Sequence, residues 1–229
     1  MPLSIRWLGH SSWSVESEGH RVLIDPFLTD NPKAACKASE LDADTILVSH
    51  GHFDHVQDVA EIANRCNATV VANYEIATWF SAQHKVDKVQ EMNIGGWLQL
   101  ACGRVKMTNA IHSSQLPDGA YGGNPGGYLC DFPSARLYYT GDTALFSDLK
   151  LYSLPKVDIL ILPIGDLFTM GIDDSIQAIQ WIEPKVVLPC HYNTWPPIEQ
   201  DATKWAEMVT QQTNSRPIVL RPGETYRHV

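Results

Sequence analysis

The run Ser49-His50-Gly51-His52-Phe53-Asp54-His55 reads H-x-H-x-D-H and packs four metal-capable side chains into six residues. Imidazole is the commonest protein ligand for transition metals, and a carboxylate adds a harder oxygen donor. On an extended or turning backbone, His50 and His52 can point to one side. Asp54 and His55, at the start of a following helix, then face a neighbouring position. A polar turn with solvated histidines is the competing account. Four donors at this spacing, directly behind an apolar β-branched run, point instead to metal binding. Six residues cannot complete two coordination shells, so distant donors are required. Three candidates each follow an expected strand: His112 in Ala110-Ile111-His112-Ser113-Ser114, Asp142 in Thr140-Gly141-Asp142-Thr143, and His191 in Leu188-Pro189-Cys190-His191. Singly, a strand-end histidine can be an ordinary interior residue and Gly-Asp-Thr is turn chemistry. Together they could converge on one edge of a sandwich.

The elements that would bring them together are legible as a pattern. Short strands are expected over 4–8, 12–16 and 21–24, the last closed by Asp25-Pro26. Residues 45–49 (Thr-Ile-Leu-Val-Ser) read as a buried strand, and Val56, Val59, Ala60, Ile62 and Ala63 recur at helical spacing up to about Cys66. A strand over 68–72, a helix over 74–83 and strands over 88–92, 97–101 and 104–110 follow. The second half echoes this order: strands 127–132 and 136–140, a buried strand 157–162, a helix capped by Asp173 or Asp174 and running to Ile182, a strand 185–188, a helix 202–212 and a strand 217–220. Strands bunch and then alternate with helices, twice over. The expected fold class is α/β, a four-layer α/β/β/α sandwich in a single domain over 1–229.

The chain has 229 residues, with 17 Lys+Arg against 26 Asp+Glu, so its formal net charge is −9. With 44% hydrophobic and 19% charged residues it is globular, which excludes a disordered or collagen-like chain. The acidic balance disfavours nucleic acid and anionic membrane as partners. No apolar run approaches the ~20 residues of a membrane helix, and the opening Met1-Pro2-Leu3-Ser4-Ile5-Arg6-Trp7 lacks a signal-peptide pattern. Five cysteines (Cys36, Cys66, Cys102, Cys130, Cys190), odd in number and without C-x-x-C, read as reduced core thiols. These features predict a cytoplasmic protein acting on a small molecule, with no nucleic-acid and no membrane partner.

H-x-H-x-D-H followed by an isolated His, a Gly-Asp and a further His resembles the ligand pattern of the metallo-β-lactamase superfamily, over nearly the whole chain. Gly9-His10-Ser11 and Leu23-Ile24-Asp25-Pro26-Phe27 also match its N-terminal half. The segments Asn73-Tyr74-Glu75, Pro163-Ile164-Gly165-Asp166, Phe168-Thr169-Met170-Gly171 and His191-Tyr192-Asn193-Thr194 resemble a narrower branch, the small prokaryotic metal-dependent hydrolases, similar to but shorter than ascorbate-phosphate lactonases. The resemblance implies the metallo-β-lactamase fold. It implies one metal held by His50, His52 and His112, a second by Asp54, His55 and His191, and Asp142 bridging both. Aspartate at 142, where antibiotic-degrading lactamases carry cysteine, speaks against lactamase activity and for hydrolysis of thioesters, lactones or phosphodiesters. Zinc suits the N/O donors best, with manganese, iron and nickel also compatible. Related small hydrolases often self-associate, so the resemblance leaves homo-oligomer formation open.

Two divalent ions ~3.5–4 Å apart can share one water and lower its pKa towards ~7. The expected chemistry is therefore attack of a metal-bridging hydroxide on a small ester, lactone, thioester or phosphoester, with Asp54 orienting the nucleophile or carrying a proton to the leaving group. His10 is read two ways: as a pocket residue that binds substrate or protonates the leaving group, or as a hydrogen-bonding residue of its hairpin. Asp25 resembles the acidic residue that steadies a ligand imidazole, with a turn aspartate as the competing account. Asp166, Thr169 and Met170 lie in a Gly-punctuated loop expected to edge the pocket, as a structural turn or as substrate contacts. Asn193 and Tyr192 are candidate substrate contacts, Trp195 a candidate cleft wall, and the glycines around Asn124-Pro125 a flexible loop and candidate lid. The alternative function is a di-iron redox or metal-sensing protein on the same fold.

Overall fold

The computed structural model describes residues 2–228. The elements in chain order are β1 (Leu3–Gly9), β2 (Ser12–Ser17), β3 (His20–Ile24), β4 (Thr45–Leu47), α1 (Phe53–Val56), α2 (Val59–Cys66), β5 (Thr69–Asn73), α3 (Tyr74–His84), β6 (Val89–Met92), β7 (Trp97–Leu100), β8 (Gly103–Asn109), β9 (Gly126–Asp131), β10 (Arg136–Tyr139), β11 (Ile159–Pro163), α4 (Ile172–Ile182), β12 (Val186–Cys190), α5 (Ala202–Gln212), β13 (Arg216–Pro217) and β14 (Thr225–His228). Among the described residues the strands form two seven-stranded sheets, ordered β14-β1-β2-β3-β4-β5-β6 and β13-β12-β11-β10-β9-β8-β7.

Side-chain alternation explains the layering. Successive strand residues face opposite sides. In the first sheet Val22, Ile24, Leu47 and Val71 join the core shared with the second sheet. Their neighbours Leu23, Ile46, Val70 and Ala72 pack with Ile62 and Ala63 of α2 and Ile76 and Phe80 of α3. Both faces are apolar because both are covered, as a parallel sheet under helices requires. Helices α4 and α5 join the other core through Ile176, Ile179, Trp205 and Val209, with Trp205 Nε1 donating to Ser175 Oγ at 3.0 Å. The architecture is the expected four-layer sandwich.

Strand direction collects the chemistry at one end. β3, β4 and β5 are mutually parallel. In the other sheet β8 and β10 each run antiparallel to β9 and so share a direction, which β11 and β12 follow. The loops leaving these strands carry Asp25, His50, His112, Asp142 and His191. Two buried tyrosines tie the sheets together there: Tyr128 OH donates to Val48 O at 2.8 Å and Tyr139 OH to Asp25 Oδ2 at 2.7 Å.

Several expectations need correction. The helix expected from Val56 to Cys66 is broken into α1 and α2, because the buried Asp58 at the break turns its carboxylate to the amides of Leu28 and Thr29. Asp173 and Asp174 lie inside the first turn of α4, whose N-cap is Gly171 with no side-chain cap. The strand expected over 217–220 shortens to Arg216–Pro217, and β14 returns to pair with β1, a strand the sequence reading missed. The glycine segment is no lid. Asn73 Nδ2 donates to the carbonyls of Gly122 (2.7 Å) and Asn124 (3.1 Å), and Gly126 N donates to Ser49 O. Of the cysteines, Cys102, Cys130 and Cys190 are buried thiols, while Cys36 and Cys66 are only half-buried.

Candidate metal centre

His50 follows β4, where the extended strand gives way to a turn, and Asp54 and His55 ride on the first turn of α1. The other donors arrive from the second sheet: His112 behind β8, Asp142 behind β10 and His191 behind β12. They meet around one carboxylate oxygen. Asp142 Oδ2 lies 3.0 Å from His191 Nε2, 3.3 Å from His55 Nε2, 3.9 Å from His112 Nε2 and 4.0 Å from His50 Nε2. His50, His52 and His112 form one group with donor atoms within 4.8 Å of each other, and His10, Asp54, His55 and His191 form another. Asp54 Oδ2 stands 3.7 Å from His55 Nε2 and 3.8 Å from His191 Nε2.

The orientation of the rings follows from Asp25, which is fully buried. Its Oδ1 accepts from Ser49 N at 2.7 Å; its Oδ2 accepts from Ser49 Oγ at 2.5 Å, Tyr139 OH at 2.7 Å and His55 Nδ1 at 2.8 Å. Since a carboxylate only accepts, His55 carries a proton on Nδ1, which leaves Nε2 as the nitrogen facing the centre. Ser49 Oγ gives its hydrogen to Asp25 and so accepts from His50 Nδ1 at 3.0 Å. That fixes the same tautomer in His50, again with Nε2 inward. One carboxylate thus aims two imidazoles, the second through a serine. Asp25 also completes a third metal-capable group with His50 and His55, but its oxygens are already occupied by these donors.

The His10 side chain is neither at the cleft wall nor bonded within its hairpin. It is fully buried, with Nε2 at 2.9 Å from Asp54 Oδ2 and Nδ1 at 2.7 Å from Thr194 Oγ1. Burial, then the neighbouring His191, push it down to about 4 against the pull of Asp54. The neutral ring donates from Nε2 to Asp54 and accepts the Thr194 hydroxyl at Nδ1. Its backbone carbonyl accepts from His191 N at 3.2 Å and Trp7 Nε1 at 2.9 Å, tying the β1–β2 turn to the end of β12. His10, Asp25 and His191 all hold positive φ, at 53°, 45° and 52°. Such strain in non-glycine residues clusters where surrounding structure over-determines a site. For Asp25 the Ser12 hydroxyl, donating to its carbonyl at 2.7 Å, is part of that restraint.

The donors fit metal cations. His55 Nε2 and Asp142 Oδ1 are buried without a hydrogen-bond partner, a costly condition for polar atoms unless something else engages them. Burial opposes the charge on Asp54 and Asp142, yet His55 and His10 hold the first below the usual carboxylate range, and His191 and His55 the second. Burial also opposes charge on His55, but the carboxylates of Asp142, Asp54 and Asp25 push it well up. Burial, then His55, depress His50. A compact set of imidazole nitrogens and carboxylates that must balance one another's charge is what a transition-metal cation would relieve.

A cleft of 830 Å³ opens onto this cluster, floored by His52, Asp54, His112, Asp142 and His191. Its walls include Trp195, as expected, and also Phe53, Leu167 and Phe168. The loop after β11 edges the cleft as expected, through Leu167 and Phe168, but Asp166, Asn193 and Tyr192 do not line it. Asn193 folds back to brace its own loop, with Nδ2 to Gln200 O at 3.1 Å and Oδ1 receiving Gln200 N at 2.7 Å. Tyr192 is buried, stacked on Trp7 at 5.4 Å. Asp166, at φ 61°, borders a separate shallow groove with Asp173, Asp174 and Lys204. The sequence reading also missed Tyr139, Thr194 and the role of Ser49. Ser49 and Thr194 sit beside predicted ligands, a usable signal. Tyr139 meets Asp25 across a separation of 114 residues, and nothing local marks it.

The Beta-lactamase superfamily domain matches residues 4–191. The chain is 43% identical over 229 residues to a UPF0173 metal-dependent hydrolase of Methanopyrus kandleri, covering 98% of this chain and 99% of that protein. It is 45% identical to one from Bacillus cereus (strain G9842), covering 97% and 99%. Igni18, a metallo hydrolase from Ignicoccus hospitalis, superposes with a TM-score of 0.89 at 30% identity over 100% of this chain and 99% of that one. With a folded centre that has the donors, and relatives matched end to end, the chain belongs to the β-lactamase superfamily and, within it, to the UPF0173 metal-dependent hydrolases.

Proposed function

We propose that the protein is a dinuclear metal-dependent hydrolase of a small ester, lactone, thioester or phosphoester. The observation that carries this reading is the position of Asp142 Oδ2, within 4.0 Å of ring nitrogens from His50, His55, His112 and His191. His50, His52 and His112 would hold one cation, Asp54, His55 and His191 the other, and Asp142 would reach both. Zinc suits this donor set best. Bound cations supply Lewis acidity, which acidifies water and polarises the oxygen that gains charge.

The chain's own residues do the rest. Asp25 holds His55 directly and His50 through Ser49. Asp54 lines the cleft, where its carboxylate can orient the attacking water or take its proton and pass it to the leaving group. His10, backed by Thr194, donates to Asp54 and keeps that carboxylate in place; it is a positioning residue, with no path to substrate of its own. In the net reaction water's oxygen joins the carbonyl carbon or phosphorus, the bond to the leaving group breaks, and one proton caps the departing atom. Asp142→Ala tests the reading: metal content by mass spectrometry and hydrolysis of a lactone, thioester and phosphodiester panel fall together. Full activity in that variant with metal at a single site overturns the dinuclear form. Purification with stoichiometric iron and a visible absorption band would support the redox alternative instead.

A further inference from the structure

We infer that the cleft selects uncharged acyl compounds bearing an aromatic or bulky aliphatic group, and that the loop tip at Leu167 and Phe168 supplies the selectivity. The inference rests on the hydrolase reading and narrows its substrate. Three observations carry it. First, the cleft is lined by Phe53, Leu116, Pro117, Leu167, Phe168 and Trp195 together with the polar floor, and none of its described lining residues is Lys or Arg. A phosphodiester or phosphorylated sugar would find no side-chain cation there, whereas an apolar group would find a wall on each side.

Second, the apolar residues at the mouth are exposed against their own preference. Phe53, Leu167 and Phe168 are 52%, 67% and 56% exposed. Scattered surface leucines need no explanation, but large apolar side chains gathered around a concave site mark a binding surface. Phe53 and Trp195 both pack on the buried Phe27, with Phe27–Phe53 centroids at 5.8 Å and Phe27–Trp195 at 6.0 Å.

Third, the wall at Leu167 and Phe168 is held out under strain. Asp166 and Leu167 both have positive φ, 61° and 48°. For a leucine this is unfavourable unless the surroundings impose it. They do: Asp166 N donates to Met170 O, Thr169 N to Asp166 O, and Met170 N to Thr143 O beside Asp142. Gly165 at its base admits no side chain, since a Cβ there would meet His191 O at 2.1 Å. The tip is therefore braced against the metal-site loops while its two apolar side chains remain in solvent. Core packing gains nothing from that arrangement; a hydrophobic substrate would.

The test uses zinc-reconstituted protein and thiol release from the S-methyl thioesters of acetic and phenylacetic acid, which share a small leaving group, beside the anionic diester bis(p-nitrophenyl) phosphate. The expected kcat/KM is about ten- to hundredfold higher for phenylacetyl than for acetyl, and a Leu167→Ser/Phe168→Ser variant collapses that ratio towards one, chiefly through KM. Equal rates on the two thioesters, preference for the diester, or an unchanged ratio in a folded variant overturns the inference while leaving a hydrolase. If nothing is hydrolysed, calorimetry with the neutral ketone phenylacetone separates the two ideas. Binding with a negative heat-capacity change, weakened by the double variant, upholds the pocket while the hydrolase reading falls; no binding sinks the inference.

Discussion

Asp25 contacts no cleft and would touch no substrate, yet the hydrogen bonds it accepts from Ser49, Tyr139 and His55 set the direction of two imidazole rings at the candidate centre. An amide in its place would put an NH₂ against donors that need an acceptor. Asp25→Asn should therefore weaken zinc binding by about ten- to hundredfold, read by competition with a coloured chelator. Unchanged affinity would show that the ring orientations do not depend on it. The run around His50 and the three distant donors were readable in advance because residue type and spacing carry them. The roles of His10 and Asp25 were narrowed only by geometry: His10 proved to be bonded to Asp54, and the turn aspartate to reach His55.

At the scale of elements, the centre depends on strand ends arriving in register. Gly165, two residues past β11, lies so close to the end of β12 that any side chain would displace His191. Gly165→Ala should lose metal at the His191 side and destabilise the fold by more than ~2 kcal/mol, measured by urea unfolding alongside zinc content. Wild-type stability and stoichiometry would overturn that account. Most strands were legible here because buried parallel strands write short unbroken runs rich in Ile, Leu and Val, such as 45–48 and 159–162. The break between α1 and α2 was not, since helical spacing continues through it and the cause is a carboxylate buried against another segment. Nor was β14, whose half-exposed residues alternate only weakly and gain their meaning from pairing with β1.

Over the whole molecule the net charge of −9 includes the buried Asp25, Asp54, Asp58 and Asp142, and cations would offset the carboxylates gathered at the centre. The acid limit of stability should be set in part by surface ion pairs. Asp131 is partly buried, which alone would raise its pKa, but hydrogen bonds from Arg136 and Arg104 hold it below the ordinary value. Asp158 is likewise held down, by the Arg136 amide and Lys185. Groups depressed in the folded state stabilise it fully above the unfolded carboxylate pKa of ~3.9, and that contribution disappears as pH falls through their folded values. Urea midpoints of the metal-free protein should fall below about pH 4, and Asp131→Asn should lower the midpoint at neutral pH and flatten the acid decline. Parallel curves for the two proteins would rule Asp131 out. No described helix is long and apolar enough to cross a membrane.

What the sequence alone supplied is the candidate donor set, the layered α/β class and the family, because those rest on residue identity and on periodicities of two and 3.6 that local chemistry dictates. The tertiary structure decided which donors share an oxygen, which imidazole nitrogen faces inward, and that Asp166 and Asn193 stand apart while Leu167 and Phe168 wall the cleft. These facts depend on contacts between residues as far apart as His10 and Thr194, 184 positions along the chain. No local pattern encodes such a distance; only the packing of two sheets around one core brings those side chains within hydrogen-bond reach.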